Sequence, residues 1–308
     1  MPETQGFPDN APSPASPIQQ LAPLLPLAGI VEDLFADASA RRLAKMENRP
    51  LGPVTGFSKL DSMLSGSLMP GLHVLHGSPG VGKSALALGV ACHAQVPALF
   101  VSGELGAVEV LRRLIARHTG TYLGRLKSGE LSGDAVRELA LKTASAYPLL
   151  GLMDATRYPA PVPHIAEALA SIRESPAAKL ATAPGALIVV DSAHTWSGRA
   201  FPEEGDEYKR LAMALDKLEA LAQELLVPVL LIAERSKAAM KGGQGAAAGH
   251  RRFEYAGETV LELDADKDQD DAHGYRPVTL TVSKNRHGSC GFLKLRWHGA
   301  MQKHEEVK

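Results

Sequence analysis

The chain has 308 residues, 45% of them hydrophobic, enough for one large domain with a sizeable core plus an extension. Its 33 Lys and Arg against 34 Asp and Glu leave a formal net charge of −1. That balance excludes bulk attraction to nucleic acid or anionic lipid, so any polyanion must be met by a local patch.

Only Cys92 and Cys290 are present, far apart in the sequence. They exclude a disulfide framework and a cysteine-based zinc site, and they fit a reducing, cytoplasmic setting. The eleven histidines form no ligand-spaced cluster.

Residues 1–28 hold seven prolines among Ser, Ala and Gln. Such a composition cannot bury enough apolar surface to offset its ordering entropy, and a disordered arm is predicted. Its apolar run, residues 21–31, is broken by Pro23 and Pro26 and lacks a basic flank, so neither a membrane span nor a secretory signal is expected. Residues 29–50 read as a linker helix. Ile30, Leu34 and Ala38 share a face that Leu43 and Met46 continue, with acids early and bases late as the helix dipole favours. That face needs a surface, either on its own domain or on a neighbouring subunit.

From Leu51 onward, short apolar runs at 72–76, 98–101, 149–153, 187–190 and 229–233 read as buried parallel strands. The segments between them suit crossover helices. Residues 208–226, with Leu211, Leu215, Leu218, Leu221 and Leu225 on one stripe, form the clearest. This alternation implies an α/β fold with a mostly parallel central sheet and helices on both faces. After Arg252 the pattern becomes alternating strands at 259–263, 278–282 and 292–297, predicting an antiparallel C-terminal extension. The domain is expected over 51–300, with 301–308 as a tail.

Gly77, Ser78, Pro79, Gly80, Val81, Gly82, Lys83 and Ser84 match G-x-x-x-x-G-K-[ST] directly after a predicted strand and before a helical run. In such a P-loop, backbone N–H groups curl around the β-phosphate of ATP, Lys83 neutralises β- and γ-phosphate charge and Ser84 ligates Mg²⁺. Asp191 ends the strand ALIVVD, where α/β sheets bind ligands, and suits the second magnesium ligand. Glu104 follows ALFVSG. A carboxylate there either polarises an attacking water or simply sits at the start of the next helix.

The stretches TGFSKLDSMLSG, GSPGVGKSALAL, FVSGELGAVEVLRRL, GRLKSGELS, LIVVDSAHTWSG, VPVLLIAERSK and VSKNRHGSCGFLKLRW, in this order, resemble the motifs of the motor domain of DnaB-type replicative helicases, a RecA-like fold. The resemblance runs from about Gly29 to His298, and VSGE and KNRHG are also similar to the RadA-like recombination ATPases. It implies a homo-oligomeric, hexameric ring on single-stranded DNA, with Glu104 as catalytic carboxylate. It makes Lys284 and Arg286 a basic finger reaching a neighbour's γ-phosphate. Val278, Leu280, Val282, Lys284 and Arg286 share one strand parity, so an apolar face turns basic at its end; a solvated strand end is the alternative.

Between Arg235 and Arg252 lie five basic residues and no acid around GGQGAAAG. In the family this region lines the pore, which would make Lys237, Lys241, Arg251 and Arg252 contacts to DNA phosphates; a basic linker is the alternative. The acidic run 262–271 lacks the glycine and glutamate of a calcium loop and reads as a hairpin tip. Two departures stand out. Glu234 occupies the place of the family's γ-phosphate-sensing glutamine, and a carboxylate there repels phosphate unless protonated or paired. The N-terminal helical domain that contacts primase in that family has no counterpart in the sequence, so no loader or replication partner carries over. The expectation is an ATP- and Mg²⁺-dependent helicase or helicase-derived ATPase. A RadA-like recombination ATPase, or an ATP-binding switch with a protein partner and no DNA, are the rivals.

Overall fold

The structure, a computed structural model, describes residues 24–234, 252–253, 255–266 and 270–307. Two compact units divide after Met46. In the first, a 3-10 turn over Leu27–Ile30 leads into α1 (Val31–Met46). Glu32 and Asp33 stand in its first turn and Lys45 in its last, complementing the helix dipole, and Leu34 and Phe35 are exposed.

The second unit is built on one sheet of β1 (Gly71–Gly77), β2 (Ala98–Ser102), β3 (Leu150–Asp154), β4 (Leu187–Asp191), β5 (Pro228–Ile232), β6 (Thr259–Ala265), β7 (Tyr275–Asn285), β8 (Gly291–His298) and β9 (Lys303–Glu306). Their order is β3-β2-β4-β5-β1-β6-β7-β8-β9. The strands from β3 through β6 pair in parallel, and β6 through β9 pair antiparallel. Runs such as LIVVD and PVLLI are buried at every residue because helices cover both faces, so these strands show no polar alternation.

One face is covered by α2 (Ser58–Met63) and by α3 (Lys83–His93), whose ALALGVA run is buried throughout. The other is covered by α6 (Val162–Glu174), α7 (Ala193–Ala200) and α8 (Glu207–Leu225). Asp206 caps α8 by accepting hydrogen bonds from the Tyr208 and Lys209 N–H groups, and the stripe Leu211, Leu215, Leu218 and Leu221 is buried as its spacing predicts. Each such leucine contributes roughly 1.5–3 kcal/mol. A satellite core joins α4 (Ala107–Thr119) to α5 (Gly133–Ala146) around Ile115 and Leu126.

Within the expected tail 301–308, Lys303–Glu306 form β9, which pairs with β8 and buries His304. One expectation is corrected. The shared parity of Val282, Lys284 and Arg286 is broken by a β-bulge: Leu261 pairs with Val282 but Val260 with Lys284, leaving Ser283 as the extra residue. Paired residues share a face, so Lys284 lies on the opposite face from Val282.

Candidate nucleotide site

The C-terminal ends of the parallel strands converge on a cleft of about 350 Å³. Gly77 ends β1 and the P-loop follows it; Asp191 ends β4; Glu104 and Glu234 come two residues after β2 and β5. Side chains from four separated segments therefore meet at one sheet edge, as open α/β sheets arrange their ligand sites. Gly82 has φ +94°, and a Cβ there would collide with His304 and Trp297, so the turn into α3 requires glycine. Lys83 Nζ donates to the carbonyls of Gly77 and Ser78, both at 3.0 Å. Burial lowers its pKa, while Glu234, Glu104 and Asp191 act to keep it charged.

Asp191 is fully buried, and neither of its carboxylate oxygens makes a well-shaped hydrogen bond. Burial, reinforced by the charge of Glu104, pushes its pKa up to about 7, while the nearby Ser84 hydroxyl, Arg113 and Lys83 oppose the shift. A buried carboxylate without its own hydrogen bonds, beside a hydroxyl, calls for a cation. The pair Ser84 and Asp191 therefore fits Mg²⁺. Beside it, the Ser192 hydroxyl donates to Glu104 Oε1 at 2.8 Å. Ser192 is the N-cap of α7, locked with Thr195 in a capping box, so the residue that orients Glu104 is itself fixed.

The cleft has a wall that the sequence reading missed. Arg113 of α4, Trp297 of β8 and Gln302 line it. Arg113 Nη1 donates to Gln302 Oε1 at 3.0 Å, and one turn on, the buried Arg117 donates to the Gln302 carbonyl at 3.1 Å. Gly89 of α3 leaves room for that guanidinium, since a Cβ there would overlap it. His304 stacks on Trp297 with ring centroids 4.3 Å apart, behind the P-loop. The signal available was the pair Arg113 and Arg117, spaced four apart among the apolar positions Val110, Leu114 and Ala116.

Other expected site residues lie elsewhere. His73 pairs with Thr259, and Thr259 with Asn285, so Lys284 and Arg286 stand at the opposite end of β1 from the P-loop. The four-residue offset from His73 to Gly77 is about 13 Å of strand. Arg252 Nη2 pairs with both carboxylate oxygens of Asp216 on α8, at 2.9 and 3.0 Å, and this bond raises its pKa. Lys237, Lys241 and Arg251 lie outside the described residues. Among the described residues, no helix is long and apolar enough to cross a membrane.

Comparison with known proteins places this geometry. The family model for the DnaB-like helicase C terminal domain matches residues 52–306. The replicative DNA helicase DnaB of Treponema pallidum is 23% identical over 282 residues, covering 89% of this chain and 60% of that protein. The chain thus spans about three-fifths of that relative's length. The DNA repair protein RadA of Mycobacterium tuberculosis is 28% identical over 217 residues, 69% of this chain and 36% of that protein. Among solved structures, a DnaB-like replicative helicase superposes with a TM-score of 0.70 at 17% identity, covering 92% of this chain and 71% of that one.

Proposed function

Since the chain belongs to the family of DnaB-like helicase C-terminal domains and carries the RecA-like P-loop fold, we propose that it is an ATP-hydrolysing, ring-forming motor on single-stranded DNA. The observation that carries this reading is the convergence of Lys83, Asp191 and the Ser192-held Glu104 in one cleft at the P-loop. The backbone from Gly77 to Ser84 cradles the β-phosphate, and Lys83 exchanges its carbonyl partners for phosphate oxygens. Ser84 and Asp191 hold Mg²⁺, which when bound neutralises charge on the β- and γ-phosphates. Glu104 orients the attacking water, with Ser192 fixing the carboxylate.

Arg286 stabilises the developing charge on the nucleotide of a neighbouring copy, with Lys284 beside it. The supporting observation is its distance along β1 from its own P-loop. Lys237, Lys241, Arg251 and Arg252 grip DNA phosphates, and the exposed apolar residues of α1 dock on a neighbouring copy. The deciding experiment is the steady-state ATPase rate of the full chain and of Lys83→Ala, with and without single-stranded DNA. The proposal expects hydrolysis that DNA stimulates and that Lys83→Ala abolishes. A lysine-dependent rate indifferent to DNA favours a second reading, an ATP-binding switch, for which the carboxylate of Glu234 in the cleft speaks. A strand-displacement assay set against a branch-migration assay separates unwinding from a RadA-like remodelling activity.

A further inference from the structure

Glu258 grips the strand end that carries Arg286 through both its backbone and its side chain. The Glu258 backbone N–H donates to the Leu72 carbonyl at 2.7 Å, tying it to β1, and its own carbonyl accepts the Arg286 N–H at 3.0 Å. Its carboxylate is divided between two side chains: Oε1 accepts from Arg286 Nη1 at 2.8 Å, and Oε2 meets His287 Nε2 at 2.9 Å. The Tyr255 carbonyl lies 3.5 Å from Arg286 Nη2 and accepts from Lys284 Nζ at 3.0 Å. Space for this carboxylate is made by Gly71, because a Cβ there would collide with the Glu258 side chain.

Stability is a poor explanation for so many contacts. The Arg286 side chain is 52% exposed and that of Glu258 19%, and a half-exposed pair of this kind adds little to folding stability. What the contacts do achieve is restriction of a long side chain. The bulge at Ser283 brings Lys284 and Arg286 onto the face where Tyr255 and Glu258 wait, and the carboxylate then fixes one edge of the guanidinium. The remaining N–H groups keep a set direction from the strand end, so less rotamer freedom is lost when they meet phosphate.

We propose that Glu258 is a positioning residue for Arg286, orienting its guanidinium toward the nucleotide held by a neighbouring copy. The inference rests on the reading of Arg286 as a finger acting in trans. Glu258 touches no nucleotide itself and works through Arg286.

The test is ATPase kinetics of the full chain carrying Glu258→Gln, Glu258→Asp, Arg286→Ala, or Glu258→Gln with Arg286→Ala, each checked by thermal melting. Glu258→Gln should lower kcat roughly tenfold to a hundredfold, the scale of a misplaced catalytic group, with KM for ATP nearly unchanged. The double variant should be no slower than Arg286→Ala alone. Glu258→Asp keeps the charge but withdraws it by one methylene, so its kcat should fall between those of the parent and Glu258→Gln; it serves alone if the glutamine variant does not fold. Parental kcat in both Glu258 variants, with Arg286→Ala inactive, overturns the positioning role and leaves the finger standing. Losses that multiply in the double variant also overturn it, because two independent residues behave that way. Parental kcat in Arg286→Ala removes the finger and this inference together.

Discussion

The side-chain carbonyl of Gln302 accepts a 3.0 Å hydrogen bond from Arg113 inside the cleft beside the P-loop, joining a helix to a turn 189 residues away. The C-terminal strands thereby become part of the site. Gln302 fixes the guanidinium, and the guanidinium brings positive charge to a cleft already holding three carboxylates, Glu104, Asp191 and Glu234. Arg113→Ala should therefore weaken ATP binding by about 1.5–3 kcal/mol, the range for hydrogen bonds to a charged group. Gln302→Ala should cost less, since the arginine survives. Calorimetric titration of nucleotide into each protein checks this, and equal affinities for all three would place Arg113 outside the phosphate-binding set.

Acid should destabilise the fold through two buried histidines, His304 behind the P-loop and His73 toward the other end of β1. Burial lowers the pKa of His304 from 6.5 to about 3, and that of His73 from 6.5 to about 4. The unfolded chain takes up these protons near pH 6.5 and the folded chain does so only well below it. The stability from keeping both rings neutral is thus complete above pH 6.5 and is lost as pH falls toward those lower values. At about pH 5 each histidine should cost roughly 2 kcal/mol. His304→Phe keeps a ring on Trp297 and removes one titration, so its Tm should fall less than the parent's between about pH 7 and pH 5. Asp191, raised by burial, shifts stability in the opposite sense, and comparing the two proteins cancels that contribution. Parallel Tm curves would show that His304 is protonated without penalty.

The parts of the site that could be read from sequence are those whose determinants are local. The P-loop is eight consecutive residues, Asp191 closes an apolar run that is a strand for its own reasons, and Glu104 follows another such run by two residues. Arg113, Trp297, Gln302 and His304 enter the site because an antiparallel extension folds back over α3, and no spacing within any one segment records that approach. The strand Lys-His-Glu-Glu at 303–306 has no β-branched residue, and its conformation comes from pairing with β8. The bulge at Ser283 likewise has no mark in Val-Ser-Lys, yet it turns Lys284 and Arg286 to the other face of the sheet.

The pairing of Arg252 with Asp216 changes how a DNA contact should be tested. Reversing Arg252 would set two like charges together on α8, and any loss of binding would have a structural cause. Arg251→Glu with Lys241→Glu is the cleaner variant. If these residues track phosphates, single-strand affinity should fall and the slope of log K against log salt should flatten by about 0.7 for each lost contact. Basal hydrolysis should persist. Fluorescence anisotropy over a salt series measures both quantities, and an unchanged slope would favour the switch without DNA.

The position of Arg286 at the end of β1 remote from its own P-loop predicts complementation between two inactive proteins. Arg286→Ala retains an intact P-loop and Lys83→Ala an intact finger, so each alone should hydrolyse ATP poorly, for a different reason. In rings assembled at random from equal amounts, roughly one interface in four joins a working P-loop to a working finger. Activity after co-refolding should then exceed the average of the two proteins measured alone. Native mass spectrometry must show that mixed rings formed. If they did and activity does not recover, either the residue acts within its own subunit or every interface must fire together. The rate of Arg286→Ala alone shows whether the residue takes part in hydrolysis at all. A near-parental rate reduces Arg286 to a solvated strand end. A loss of about 4–7 kcal/mol of transition-state stabilisation, the range for an arginine finger, keeps it in catalysis, and its separation from its own P-loop then assigns the missing recovery to subunits that act in concert.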